Sequence, residues 1–477
     1  MKTNLLLNAD SYKASMFMQY PPKTEGVFSY IESRGGKYRE TVFFGLQAFI
    51  KEYLLTPITQ SDIEEADEIW TAHGEPFNRD GWQYILDEHN GYMPVKISAA
   101  PEGSVISMNN VLLTIENTDP KCFWLTTFLE TSLLRAIWFP TTVATNSREI
   151  KKIIAKYMHE TGGDLGGLPF KLHDFGMRGV SSYESSLVGG MSHLVNFMGT
   201  DTISAVVGAK RYYSAGISGF SLPASEHSIS TAWGPDNEIG YATNMVDTFS
   251  KDFALFATVA DTYNVYEYVK MLGTTLKEKV IALGKNGKTL VVRPDSGDPT
   301  VVPVEVIKLL MEYFGYTVNK KGYKVLPPYI RVIQGDGVNA QSIETILKNM
   351  KNEMLCADNI AFGMGGALLG APQRDDQKFA MKASAVKING EWIGIAKDPI
   401  TDHGKKSKKG RLGLVYECGL GNCGYHTVPK DIADKKGNIL RPIYRNGKLL
   451  VEDDFETIRS RAQLLEEEYI TQPIERY

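Results

Sequence analysis

From about residue 168 onward the chain repeats one pattern: a short apolar run, a polar or glycine-rich corner, then a segment with apolar residues at helical spacing. Leu290-Val291-Val292 leads into Arg293-Pro294-Asp295-Ser296-Gly297. The next segment sets Ile307, Leu310, Met311 and Phe314 on one helical face, with Pro303 suited to a first turn. Tyr329 to Ile333 then runs into Gln334-Gly335-Asp336-Gly337, followed by a helix carrying Ile343, Ile346, Leu347 and Met350. Asn359 to Phe362 opens onto Gly363-Met364-Gly365-Gly366. Strand and corner three times over, with helices between, predict a parallel sheet or barrel with its helices outside.

The same rhythm extends upstream. Phe170 to Leu172 ends at His173-Asp174-Phe175, Leu194 to Met198 ends at Gly199-Thr200-Asp201, and Phe256 to Ala260 ends at Asp261. In a (β/α) barrel the loops after the strands form the active-site face, so Asp174, Asp201, Asp261, Asp295 and Asp336 are expected to converge there. A single acid after a strand is ordinarily a helix N-cap. Five at the same point of successive units, mixed with arginine and glycine, fit a site for a polar, phosphorylated, metal-associated ligand.

Residues 1 to about 150 lack this alternation. Phe28 to Tyr30, Val42 to Phe44 and Val105 to Met108 read as strands, with Asn109-Asn110 as a hairpin turn before Val111 to Ile115. Val386 to Ile395 reads as a hairpin through Asn389-Gly390. The expected organisation is an α/β chain: a barrel-like catalytic domain over 151–385, and an α+β domain over 1–150 to which about 386–477 returns.

Composition narrows the class. A length of 477 residues calls for two packed regions, and 43% hydrophobic with 23% charged residues is that of a soluble globular protein. No apolar stretch is long enough to span a membrane, and Met1 to Asp10 does not read as a signal peptide. A net charge of −4 argues against a dedicated nucleic-acid binder. Four cysteines form no disulfide framework and favour a reducing, cytoplasmic setting. Cys418 and Cys423 have no second pair nearby, so no resident metal is expected.

Several corners carry candidate chemistry. Gly363-x-Gly365-Gly366 suits either a simple turn or a phosphate cradle, and it is not a P-loop. Arg178, Arg293 and Arg374 lie in Gly- or Pro-containing corners, suited to phosphate recognition or to a structural carboxylate. His227, in a loop rich in small and hydroxyl residues, is open to a bland role, to acid–base chemistry, or to nucleophilic attack on phosphorus. His159, His193 and His426 read as ordinary surface or core residues. Lys405 to Arg411 holds five positive charges, readable as a solvated loop, a nucleic-acid or membrane patch, or a mobile cover over a charged substrate.

Taken together, these strings resemble the nicotinamide phosphoribosyltransferase family over nearly the whole chain. They run from Asp10-Ser11-Tyr12-Lys13 through His173 to Gly179, Gly199 to Thr202, Glu226-His227-Ser228, Arg293 to Gly297 and Arg331 to Gly337. Gly363 to Gly366, Lys397-Asp398-Pro399, Ser407 to Arg411 and Arg445 to Lys448 continue in family order. The resemblance implies a type II phosphoribosyltransferase fold and a homodimer with shared active sites. It also implies transfer of phosphoribose from phosphoribosyl pyrophosphate to nicotinamide, with Mg2+ accompanying the phosphates and ATP as activating co-substrate.

Residue by residue, the resemblance implies that Phe175 and the Tyr12 of a second copy stack on nicotinamide, and that Asp201 reads its amide. Arg178, His227 and Arg293 would contact diphosphate, and His227 would be phosphorylated by ATP. Asp295, Gly335, Asp336, Gly366 and Arg374 would hold the ribose and 5′-phosphate, beside Asp261 and Gly365. Arg34, Lys382, Lys397 and Lys405 would supply charge around the phosphates. The residues expected to carry catalysis are His227, Asp295 and Arg293. Met177, Ala257 and the segment Cys418 to Gly424 depart from relatives, which bears on ligand fit. The rival readings are a nicotinate or quinolinate transferase, which Asp201 opposes, and a non-catalytic scaffold, which His227 and Arg293 oppose.

Overall fold

The computed structural model describes residues 4–401, 406–419 and 422–470. The chain divides into two compact units, one of residues 1–145, 209–215 and 373–462, the other of 146–208, 216–372 and 463–477.

The second unit is built on six parallel strands: β1 (Leu172–Asp174), β2 (Gly199–Thr200), β3 (Leu255–Val259), β4 (Thr289–Arg293), β5 (Ile330–Gln334) and β6 (Ile360–Met364). They lie in the order β2-β1-β6-β5-β4-β3. Sequence and structure agree on four of the six runs; a fifth, read as Phe170 to Leu172, is shifted, since Phe170 ends a 3-10 helix and the strand is Leu172–Asp174. The sixth differs: Leu194 ends the helix Tyr183–Leu194, and the strand is only Gly199–Thr200. The apolar run before it is buried by tertiary packing, with the His193 and Phe197 rings stacked 5.2 Å apart, and burial of this kind has no strand periodicity.

The sheet curls, and an extended segment spans its two edges. Phe220 bridges Gly199 of β2, and Ala224 bridges Ala257 of β3. Thr200 N–H donates to the Phe220 carbonyl at 2.9 Å, and Ala257 N–H to that of Pro223 at 2.8 Å. Inside, Ala257, Val291 and Ile333 form a small apolar core with Phe175, Leu222 and Ala361 against it. Helices such as Val302–Phe314 and Ala340–Asn352 bury one apolar face each, as their periodicity predicts.

The first unit holds a seven-stranded antiparallel sheet in which Thr24–Ser33 pairs with Phe379–Ile388 on one side and with the central strand, Val111–Asn117, on the other. Its core is aromatic, with Trp82 4.7 Å from Trp124 and 5.0 Å from Phe128 by ring centroid. The hairpin at Asn389-Gly390 forms as expected, both residues taking positive φ (49° and 82°).

Three expectations need correction. Asn109-Asn110 does not close a hairpin. Val105–Ser107 pairs instead with Glu40–Val42, while Val111–Asn117 pairs with Thr24–Ser33 and Val95–Ala99. Local turn chemistry cannot choose between competing sheet edges. Cys418 and Cys423, directly opposed in the ribbon Leu412–Gly419/Asn422–Pro429, are joined by a disulfide that the cysteine count does not anticipate. Cross-strand register, which the count ignores, brings their Cα atoms to 4.0 Å. Finally, the last described helix, Glu467–Ile470, belongs to the barrel unit and is held by Arg148, whose guanidinium donates to Glu468 at 2.7 and 2.8 Å. Among the described residues no helix is long and apolar enough to cross a membrane.

Candidate active site

All five acids sit at the C-terminal ends of parallel strands: Asp174 ends β1, and Asp201, Asp261, Asp295 and Asp336 follow β2, β3, β4 and β5. Neither Asp261 nor Asp336 is a helix cap; Asn264 and Asn339, further along, cap those helices through their side chains. The acids are thus left free for other partners.

His227 opens the short helix His227–Ala232, and its Nε2 lies 2.9 Å from Asp261 Oδ1. The Asp261 side chain is largely buried and that of His227 is about half exposed, so the imidazole presents its other edge to solvent. Arg293 Nη2 donates to Asp295 Oδ2 at 2.5 Å, while Arg293 Nε is buried without a partner. An unpaired buried guanidinium N–H is costly unless an anion meets it. The imidazole, the guanidinium and their two carboxylates stand on neighbouring strand ends.

The Phe175 ring lies across β6. A Cβ on Gly363 would sit 1.9 Å from Phe175 Cε2, so glycine is required there by the ring and not by a phosphate. A Cβ on Gly335 would meet the same ring at 3.3 Å and Asp295 Oδ1 at 3.4 Å, so ring, glycine corner and carboxylate are neighbours. Gly366, in contrast, has open space where a Cβ would be, and Gly365 nearly so. Those two remain the anion-cradle candidates.

Asp201 is exposed; its N–H donates to the Asp174 carbonyl at 2.9 Å, and its Oδ1 accepts from Ser221 Oγ at 2.5 Å. Asp174 beneath it is fully buried, accepts from Gly176 N–H at 2.7 Å, and burial, with the Asp201 charge adding, pushes its carboxyl up to about 6. Burial likewise holds His173 down, and burial pushes His193, bonded to Ser147 Oγ at 3.0 Å, down to about 3. Ser221 and Leu222 carry no role in the reading of the sequence, and no periodic signal marks them; Gly363 reads there only as part of a glycine corner, not as the seat of a ring.

Arg178 is exposed on the turn Met177–Gly179, which packs close to Gly366. The other candidates belong to the first unit. Tyr12 is exposed, with Lys13 Nζ 5.1 Å from its ring centroid. Arg34 Nε donates to Glu32 at 3.0 Å and leaves Nη2 buried and unpartnered; Lys408 pairs with the same carboxylate. Burial lowers the Lys382 ammonium from its ordinary value, and neighbouring Arg34, Lys13 and Lys397 add to this. Lys397 is held through its backbone to Ser407, and Arg374 is exposed beside Asp375. Lys405 lies outside the described residues. Of the remaining basic run, Lys406 pairs with Asp398 at 2.9 Å and Arg411 with Glu116 at 2.8 Å, the latter also over Trp392. Lys408 and Arg411 thus pair with strand residues, while Lys406 pairs with Asp398 outside the sheet.

A curled parallel sheet with arginine, histidine, carboxylates and glycine corners on its C-terminal rim, in a chain that also holds a separate sheet unit, defines a type II phosphoribosyltransferase fold. Comparison with known proteins agrees. Residues 170–448 match the model of the nicotinate phosphoribosyltransferase family, and residues 4–97 the N-terminal domain model of nicotinamide phosphoribosyltransferase. A nicotinamide phosphoribosyltransferase of Xanthomonas campestris is 50% identical, with 96% of this chain and 98% of that one covered. One from Acinetobacter baylyi is 31% identical over 96% and 97%. Among solved structures, the nicotinate-nucleotide pyrophosphorylase of Pyrococcus furiosus superposes with a TM-score of 0.61 at 18% identity, covering 98% and 96% of the two chains. Human nicotinic acid phosphoribosyltransferase gives 0.57 at 15%, covering 96% and 95%. These two likenesses speak for the fold. The chain belongs to the nicotinate and nicotinamide phosphoribosyltransferase family and is a pentosyltransferase.

Proposed function

We propose that the protein transfers the phosphoribosyl group of phosphoribosyl pyrophosphate to nicotinamide, yielding nicotinamide mononucleotide and pyrophosphate for cytoplasmic NAD salvage. ATP hydrolysis is coupled through phosphorylation of His227. The observation that carries this reading is the contact of His227 Nε2 with Asp261, together with an Arg293 whose Nε is buried without a partner. Asp261 fixes the imidazole proton on Nε2 and leaves the Nδ1 lone pair for the γ-phosphorus of ATP. Arg293 and Arg178 neutralise the charge that grows on pyrophosphate as the ribose C1–O bond breaks. A carboxylate such as Asp295 would be available to Mg2+, which would come with the diphosphate and ATP and offset their charge.

Nicotinamide needs no general base, since its ring nitrogen attacks uncharged; it needs alignment, which the Phe175 ring supplies on one side. Asp201 accepts from the carboxamide N–H and repels the carboxylate of nicotinate. Asp295 and Asp336 accept from the ribose hydroxyls, and Gly335, Gly365 and Gly366 admit the 5′-phosphate with Arg374. A second copy of the chain supplies Tyr12 and Arg34 in a homodimer, and Lys382, Lys397 and Lys405 add charge around the phosphates, some of it from across the dimer. The test is pyrophosphate release from phosphoribosyl pyrophosphate with nicotinamide, nicotinate or quinolinate, with and without ATP. Release with nicotinamide alone, stimulated by ATP, is expected. Preference for nicotinate would overturn the base assignment, and indifference to ATP the coupling.

A further inference from the structure

Below His227 and Asp261 three groups close a hydrogen-bond circuit. Val259 N–H donates to Ser225 Oγ at 3.0 Å, and Tyr241 O–H donates to the Val259 carbonyl at 3.1 Å. The phenol proton is thereby spent, so the 2.5 Å contact between Ser225 Oγ and Tyr241 Oη takes its proton from the serine. Both side chains are buried, Tyr241 completely.

The location matters more than the bonds. Ser225 and His227 share one segment, and Val259 and Asp261 share the strand end opposite. Backbone pairing between the two runs as far as Ser225 N–H to Ala257 O at 3.2 Å; beyond it the side chains continue the contact. A phenylalanine at 241 would fill the same volume but leave the Val259 carbonyl and the Ser225 hydroxyl without this partner. The phenol instead spends its donor and an acceptor on both segments at once, which is what a clamp requires. Tyr241 itself is carried by the helix Glu238–Phe249 and packs 6.1 Å from the Tyr268 ring, so the clamp is anchored on a third element.

We propose that Ser225 and Tyr241 are positioning residues that fix the His227 segment against the end of β3, and so hold His227 Nε2 on Asp261 with Nδ1 free. This rests on the reading of His227 as the phosphorylated nucleophile. Full-length Tyr241→Phe and Ser225→Ala proteins are compared with the parent and with His227→Ala. Two readouts are used: the His227 tautomer from imidazole 15N shifts at alkaline pH, and product formation with and without ATP. The variants should show mixed tautomers where the parent shows Nε2–H alone. Stimulation by ATP should fall about five-fold, the scale of one lost hydrogen bond. ATP-independent synthesis and KM for nicotinamide should hold, and Ser225→Thr should restore the parent behaviour. A folded Tyr241→Phe or Ser225→Ala protein with the parent tautomer and full stimulation overturns the proposal. If His227→Ala itself keeps ATP stimulation, the nucleophile reading falls instead, and the tautomer measurement alone decides the clamp.

Discussion

Asp174 and Asp201 meet where β1 and β2 end, and their surroundings give them opposite work. Asp174 is sealed in, and burial raises its carboxyl from 3.8 to about 6. A carboxyl raised in the folded state binds more protons than the unfolded chain between about pH 4 and 6, so it makes stability fall as pH rises through that window. The shift corresponds to about 3 kcal/mol at about 1.4 per unit. Asp174→Asn should remove this contribution, and the difference in unfolding free energy from the parent should grow between pH 4 and 6 and be flat above. Denaturant unfolding at stepped pH measures it; parallel curves would mean that Asp174 titrates normally. Asp201 is exposed and free to meet ligand. Asp201→Asn should weaken nicotinamide use and narrow its preference over nicotinate by about 1–3 kcal/mol, the value of an unmatched polar contact. An unchanged ratio of kcat/KM for the two bases would remove the role.

At the scale of elements, two glycines of one corner are glycine for different reasons. Gly363 is covered by the Phe175 ring, and Gly366 faces open space. Gly363→Ala must displace the ring, so KM for nicotinamide should rise about 2- to 13-fold, the range that 0.5–1.5 kcal/mol of aromatic stacking spans. Gly366→Ala meets nothing in the protein, so its melting temperature should match the parent while KM for phosphoribosyl pyrophosphate rises. Should Gly366→Ala bind that substrate normally, the backbone there does not approach a phosphate. From sequence the corner reads as one unit, either a simple turn or a phosphate cradle. Its division into a ring seat and an anion seat needed the position of Phe175, which comes from the end of a strand far away in the chain.

For the whole molecule, the candidates split between units: Tyr12, Arg34 and Lys382 in one, His227 and Arg293 in the other. In a two-fold dimer each site takes residues reciprocally from both chains. Tyr12→Ala and His227→Ala proteins should be nearly inactive alone. Refolded together, about half of the dimers should be mixed, one site of each collecting both lesions and the other neither, for roughly a quarter of parental activity. Mixed dimers, shown by tag capture, that stay inactive would place Tyr12 within its own chain's site.

The alternation of apolar run, corner and helix made the barrel unit legible, because a strand buried on both faces between helices has few other sequence forms. The five acids and Arg293 were legible for the same reason, since the strand end tells which face they share; Arg374 lies in the other unit. What the sequence could not determine was pairing. Val105–Ser107 and Val111–Asn117 look like a hairpin through Asn109-Asn110, yet each pairs elsewhere, because edge partners are chosen by the burial of whole sheets. The disulfide at Cys418–Cys423 followed from register alone. The linkage of β2 to β3 through Phe220–Ser225 has no periodic signal, since its backbone pairing is two isolated bridges and not a strand. Its sequence showed that His227 sits in a loop of small residues. Only the tertiary structure placed Asp261 against its Nε2, because a hydrogen bond between segments distant in sequence is fixed by the curl of the sheet between them.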